Sequence, residues 1–363
     1  MICILSTNLV AALMVAISHQ QTESKQLPGT GPGDSTALGR PTQANKNSFN
    51  PQISLITNFG AVLSDNNPSN DKSAGLREAE LGIAADVDPF LKAEAYIAFA
   101  TEDGKAIAEV EEAFGRYSNL GRGVSAKFGK IAAAIGRVQR NHADQLNYLE
   151  YPLIVSDFLG EEGLRAGGAS FGYLFKGERF NELTIEALDA SDAPLFAGAH
   201  SGVPVWVGHY RTFMDFGENA SMQLGATYAN GPSGGGGQRS QLWAADMVYK
   251  WTPGTSGKSL VIESEAYLGR PGFPGAKSAF GGFASATYQL KPNLFGYIKF
   301  DYSEVPGTSN KHKAYSLGLT LRPTEFHHWR VEFQHANGNF MPNRNALSLQ
   351  FQMAIGAHPA HKY

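Results

Sequence analysis

The sequence predicts an all-β chain: a transmembrane, up-and-down antiparallel β-barrel of about 16 strands with a long, inward-folded third outer loop. Three observations predict it. Period-2 segments recur from Asn50 to the C-terminus, the connections between them alternate between short and long, and the two faces differ in character. One face is apolar with aromatic residues near strand ends (Trp206, Tyr210, Trp243, Tyr249, Trp251, Tyr302, Trp329), which suits membrane interfaces. The other carries charges of both signs in mid-strand, which need water or partners.

Composition agrees. Charged residues make up 17% of the 363, below the ~25% of typical soluble proteins, and 41 glycines suit tight turns and strand bends better than helices. Mean hydropathy is -0.23, and after the N-terminus no apolar run approaches the ~18 residues of a spanning helix. A net charge of -3 supplies no basic face for nucleic acid, which is not expected as a partner.

Residues 1–20, MICILSTNLVAALMVAISHQ, carry a signal-peptide-length apolar run from Leu9 to Ile17, with small residues Ala16 and Ser18 near a possible cleavage site, but no basic n-region. They read as an export leader, whose removal leaves no cysteine, Cys3 being the only one. Residues 21–48, rich in Gly, Pro, Ser and Thr and without apolar period, read as a flexible linker, and 49–363 as the barrel.

QISLITNFGAVL opens the strand series, followed by AELGIAADV and FLKAEAYIAFA, joined by Asp88-Pro89. In the third segment Leu91, Ala93, Ala95, Ile97 and Phe99 oppose Lys92, Glu94 and Tyr96, a clean alternation. EVEEAFGRY and GVSAKFGKI come next. Glu111 and Glu112 are adjacent, so strict alternation sends one of them outward; Glu112 and Arg116 are assigned to the lumen, with Lys127 from the next strand. After residue 163 the strands are LRAGGASFGYLF, NELTIEALDA, VPVWVGHYRTFM, ASMQLGATYA, SQLWAADMVYKW, SLVIESEAYLG, SAFGGFASATYQL, NLFGYIKFDYS, AYSLGLTLR, HWRVEFQHA and LSLQFQMAIG. The closing segment sends Leu347, Leu349, Phe351, Met353 and Ile355 toward lipid and Ser348, Gln350 and Gln352 toward the lumen. DP, NLGR, KGER, DFGE, KPN and RPTEF are short turns for one rim, and the longer loops belong to the other; TEDGK is short and TPGTSGK long for their rims.

The expected pore-lining residues are Lys92, Glu94, Arg116, Lys127, Arg211, Asp246, Lys250, Glu263, Glu265, Lys299, Asp301, Arg330 and Glu332 from strands. Arg137, Arg140 and Asp144 join them from the long segment 132–163, with His142, and Glu150, Asp157, Glu161 and Glu162 are expected to face these as an acidic group. Leu149, Tyr151, Leu153, Ile154, Val155 and Phe158 in this segment need burial, which a loop waving in water does not give. Folding into the lumen supplies it; a lid over the mouth is the alternative.

Motifs for chemistry fail in context. GASFG at 168–172 matches a hydrolase elbow but continues as a strand, and GTSGKS at 254–259 lacks the first glycine of a phosphate loop and leads into a strand. His209 and His335 have no serine partner that makes a barrel hydrolase. No enzyme activity and no cofactor are expected. His327 with His328, and His358 with His361, are candidate imidazole ligands for Zn(II) or Cu(II), without helical i, i+4 spacing or a cysteine.

FNPQISL at the barrel start, DGKAIAEVEEAF before the fifth strand, FLGEEGLRAGG at the end of the long segment and the AIGAHPAHKY terminus resemble Gram-negative outer-membrane porins, particularly the phosphate-selective porin O and P-like barrels. The resemblance covers about residues 49–363. It implies passive diffusion of small hydrophilic solutes or ions through a lumen narrowed by the 132–163 loop. It also implies outer-membrane lipid around the barrel, assembly machinery during biogenesis and a homotrimer. The departure is charge: 30 Lys and Arg stand against 33 acids, where phosphate-selective members are strongly basic inside. Some relatives with such a terminus are linked to zinc-regulated receptors, so a receptor or transporter for a metal (zinc) or other specific ligand is one alternative. A plugged structural or adhesion barrel is the second. A TonB-dependent receptor needs ~22 strands and a plug, for which the chain is too short.

Overall fold

The computed structural model describes residues 51–65, 74–102, 105–189, 193–196, 202–233, 238–254, 257–339 and 343–356. The leader, the linker, the GGGG tip at 234–237 and His358, His361 and Tyr363 lie outside them.

Sixteen antiparallel strands close into a barrel, each paired with its sequence neighbours and β1 (Gln52–Ser64) with β16 (Arg344–Gly356). The others are β2 (Ala74–Asp86), β3 (Leu91–Glu102), β4 (Lys105–Tyr117), β5 (Val124–Ala132), β6 (Arg165–Leu174), β7 (Asn181–Asp189) and β8 (Val205–Phe216). They continue as β9 (Ala220–Pro232), β10 (Arg239–Trp251), β11 (Leu260–Arg270), β12 (Ala279–Lys291), β13 (Leu294–Glu304), β14 (Lys311–Thr324) and β15 (His327–Gly338). Closure leaves no free edge, so every strand has two neighbours to satisfy its backbone, the condition for crossing lipid with strands. No helix among the described residues is long and apolar enough to span a membrane.

Alternation settles which face is which. On β13 and β14, Ile298 is 58% and Leu317 61% exposed, while their neighbours Lys299 and Ser316 are buried at 4% and 5%. An arrangement with apolar side chains exposed and charged ones buried is inside-out for water and correct for lipid. Trp206, Tyr210 and Trp329 stand on the exposed face.

Strict alternation breaks on β4. The register with β3 shifts between Tyr96 and Ile97, so Tyr96 faces Glu112 and Ile97 faces Val110, with Glu111 the extra residue. This β-bulge turns both Glu111 and Glu112 inward, correcting the expectation that one of them faces outward.

The 133–164 segment between β5 and β6 has almost no strand character. It contains single 3₁₀ turns at Val138–Arg140 and Ala143–Gln145 and one short helix, α1 (Leu153–Leu159). Pro152 opens α1 and Gly160, at φ 113°, ends it. Ile154, Val155 and Phe158 are fully buried and share a cluster with Ile135, Val138, Tyr148, Tyr267 and Phe283, and with Leu195 and Phe196 of a 3₁₀ turn in the β7–β8 connection. Removing each such side chain from water is worth about 1.5–3 kcal/mol, which gives the segment a core inside the ring of strands. Glycines on the wall make room: a Cβ at Gly281 of β12 would collide with Ile154, and one at Gly269 of β11 with Phe158.

Candidate functional site

The strand residues expected at the lumen, Lys92, Glu94, Arg116, Lys127, Arg211, Asp246, Lys250, Glu263, Glu265, Lys299, Asp301, Arg330 and Glu332, share the inward parity of their strands. Many are paired across or along the wall. Arg116 meets Glu94 at 2.5 Å, Arg211 meets Glu182 at 3.1 Å and Lys299 meets Asp301 at 3.2 Å.

The inserted segment is tied to this wall around the barrel. On β11, Glu265 accepts the backbone N–H groups of Arg137 and Val138 at 2.7 and 2.6 Å, and Glu263 pairs with the Arg137 guanidinium at 2.5 Å. On β15, Arg330 donates to the carbonyls of Tyr148 and Leu146 at 2.6 and 2.8 Å, and Glu332 accepts from Leu149 N. Asp301 accepts from Leu153 N and Lys299 donates to the Glu150 carbonyl. Gln352 of β16 reaches the Asp144 carbonyl, and Glu186 of β7 accepts from Ala134 N at 2.7 Å. A loop with little regular structure leaves its amide groups unsatisfied, and buried ones cost free energy; here charged wall residues satisfy them. Gly136 shows how close the fit is. Its φ is +60°, and a Cβ there would overlap the Glu265 carboxylate and the Tyr267 hydroxyl.

The β2–β4 side holds the densest charge. His142 Nδ1 lies 2.9 Å from Glu80 Oε2 and 2.7 Å from Glu111 Oε2, and its Nε2 lies 3.2 Å from Glu112 Oε1. The Tyr96 ring lies against the imidazole, 4.5 Å between centroids. Burial opposes a charged imidazole, but Glu80, Glu111 and Glu112 outweigh it and hold its pKa well above the ordinary histidine value. Nearby, burial and then the charge of Glu111 push the Glu162 carboxyl up to about 7.

These partners differ from the expected ones. Arg137 and His142 meet wall carboxylates instead of the segment's own Glu150, Asp157, Glu161 and Glu162; Asp157 lies 3.5 Å from His312 of β14. Glu78, Glu80, Glu182 and Glu186 were missed, although Leu81 and Ile83, or Leu183 and Ile185, mark their parity. Glu111 carries no such mark; its one sign is the conflict with alternation beside Glu112, which does not say that both face inward. His327 and His328 are adjacent on β15 and point to opposite faces, His327 bonded to Thr324 and His328 buried inside, so they cannot grip one ion together. Their proposed companions His358 and His361 lie outside the described residues.

Against solved structures the barrel matches the anion-selective porin from Comamonas acidovorans at a TM-score of 0.61 and 10% identity, covering 84% of this chain and 99% of that one. The fold is that of outer-membrane porins. The outer membrane channel DcaP of Acinetobacter baumannii gives 0.57 at 13% identity over 84% of this chain and 96% of that one. OmpT of Vibrio cholerae in its trimer form gives 0.57 at 10% over 84% and 99%. In sequence, an uncharacterized protein of Aquifex aeolicus (strain VF5) is 24% identical, covering 88% of this chain and 81% of that protein. No family model matches the chain.

Proposed function

We propose that this protein is a passive diffusion channel of the bacterial outer membrane, carrying small hydrophilic solutes or ions through a lumen narrowed by the 132–163 loop. The observation that carries the reading is the set of bonds joining that loop to inward-facing residues of β2, β4, β7, β11, β13, β15 and β16 inside a closed porin-type barrel. The lumen side chains act by field and size, not by covalent chemistry. Lipid surrounds the apolar exterior, assembly machinery inserts the chain, and a homotrimer is its working form, as the trimeric OmpT suggests. The sequence resemblance to phosphate-selective barrels is the finer version of this reading, and the acidic inner wall weighs against phosphate as the solute.

Purified protein in planar bilayers should give stepwise conductance of small unit size. Deleting Asn141 to Ser156 should raise the unit conductance several-fold. No conductance from correctly refolded protein overturns the channel reading in favour of a plugged barrel. A conducting barrel unaffected by the deletion overturns the constriction.

A further inference from the structure

Around His142 the wall offers more carboxylates than cations. Glu80 comes from β2, Glu111 and Glu112 from β4, and His142 from the inserted segment; all four are buried. Donor atoms of Glu80, Glu111 and His142 lie within 4.8 Å of one another, and a second group, Glu78, Glu111 and Glu162, shares Glu111. The cations at hand are the imidazolium itself, Arg165 of β6 and, acting on Glu112, Lys127 of β5. The Arg165 side chain is 6% exposed, and its Nε stands 3.9 Å from Glu111, too far for a hydrogen bond. Its Nη2 donates to the Tyr151 hydroxyl, but Nε and Nη1 have no acceptor. Buried N–H groups left without acceptors beside a carboxylate cluster are donors suited to a further ligand oxygen there.

We propose that Glu80, Glu111 and His142 form a divalent-cation site, selective for a borderline ion such as Zn(II), that pins the inserted segment to the β2–β4 wall. The donor set is the Nδ1 of His142, which releases its proton to solvent as the ion binds, and two carboxylates, with Arg165 placed to hold a water or hydroxide completing the shell. Such a ligand set, three protein donors and one exchangeable position, suits Zn(II). A tetrahedral ion ~2.1 Å from its ligands holds them roughly 3.4 Å apart. Nδ1 lies 2.7 and 2.9 Å from its two carboxylate oxygens, so small side-chain adjustments open the site. Tyr96 and Glu112 flank the imidazole and fix its plane. The binding claim stands apart from the channel reading; only its effect on conductance rests on it.

The test is titration of full-length protein, refolded in detergent, with Zn(II) alone, followed by calorimetry, with barrel formation checked by gel migration before and after heating. Wild type should show a saturable site, weakened about 10–100-fold or more in H142A and in the near-isosteric E111Q. E111Q keeps the test sharp if H142A does not fold. Absence of binding, or unchanged affinity in a folded variant, overturns the site. So does binding that is lost only in H358A/H361A, which places the metal on the terminal segment. In bilayers, Zn(II) should alter wild-type conductance and leave E111Q unaffected. A conducting channel that binds no Zn(II) overturns this inference alone, and a Zn(II)-binding barrel that never conducts overturns the channel reading alone.

Discussion

Arg330 holds the inserted segment by two of its main-chain carbonyls. It is 1% exposed, and its guanidinium fork serves Leu146 O, Tyr148 O, Gln350 and Thr320 at once. A planar group with five donors matches several fixed acceptors in a way an ammonium cannot. Arg330→Ala leaves two buried carbonyls unserved, at about 1–3 kcal/mol each. The expected outcome is a barrel that still assembles but whose 133–164 segment is cleaved faster by added protease, with R330K restoring only part of the protection. Equal cleavage in wild type and R330A would remove Arg330 from this role. That Arg330 faces inward was legible from its alternation with Trp329 and Val331. That it serves loop carbonyls was not, because the pairing spans more than 180 residues and involves backbone atoms, which carry no residue signature.

At the scale of elements, strands were legible and their irregularities were not. FLKAEAYIAFA declares its faces by composition, and β3 follows them. β4 does not, because a bulge changes one residue's facing without changing the residues; the pair Glu111-Glu112 was the one visible sign, a conflict with alternation. The β1–β16 seam has its own marker. Asp65, just past β1, accepts from Asn345 N at 2.7 Å and Asn345 Nδ2 at 2.6 Å. These bonds, backbone first and side chain second, lower its pKa. A carboxyl whose folded pKa is depressed stabilises the fold above its unfolded value, near ~3.9, and loses that contribution as pH falls through the lower folded value. Protection of the Asn345 amide, taken relative to its intrinsic exchange rate at each pH, should therefore fall below about pH 4 in wild type, and D65A should show the low protection at neutral pH. A D65A protein that protects Asn345 like wild type would count against the seam.

For the whole molecule, the fold it shares with an anion-selective porin does not transmit that selectivity, which belongs to the charges inside. Inward bases here are largely engaged: Arg116 with Glu94, Arg137 with Glu263, Arg211 with Glu182, Lys299 with Asp301. Carboxylates remain in excess at Glu78, Glu80, Glu111, Glu112 and Glu162, five acids served by His142, Arg165 and Lys127. In the narrowed lumen proposed above such an imbalance is strengthened, because the field of the wall is poorly screened in a low-dielectric passage. Reversal potentials measured across a KCl gradient should report preference for potassium over chloride. With the bath held at about pH 9, above the value of about 7 to which Glu162 is pushed, the preference should shrink in E78Q/E162Q, which removes two of these carboxylates while leaving the bonds of His142 in place. A chloride preference in wild type would show that the acidic group does not face the permeation path, and would return the phosphate-type reading of the barrel to first place.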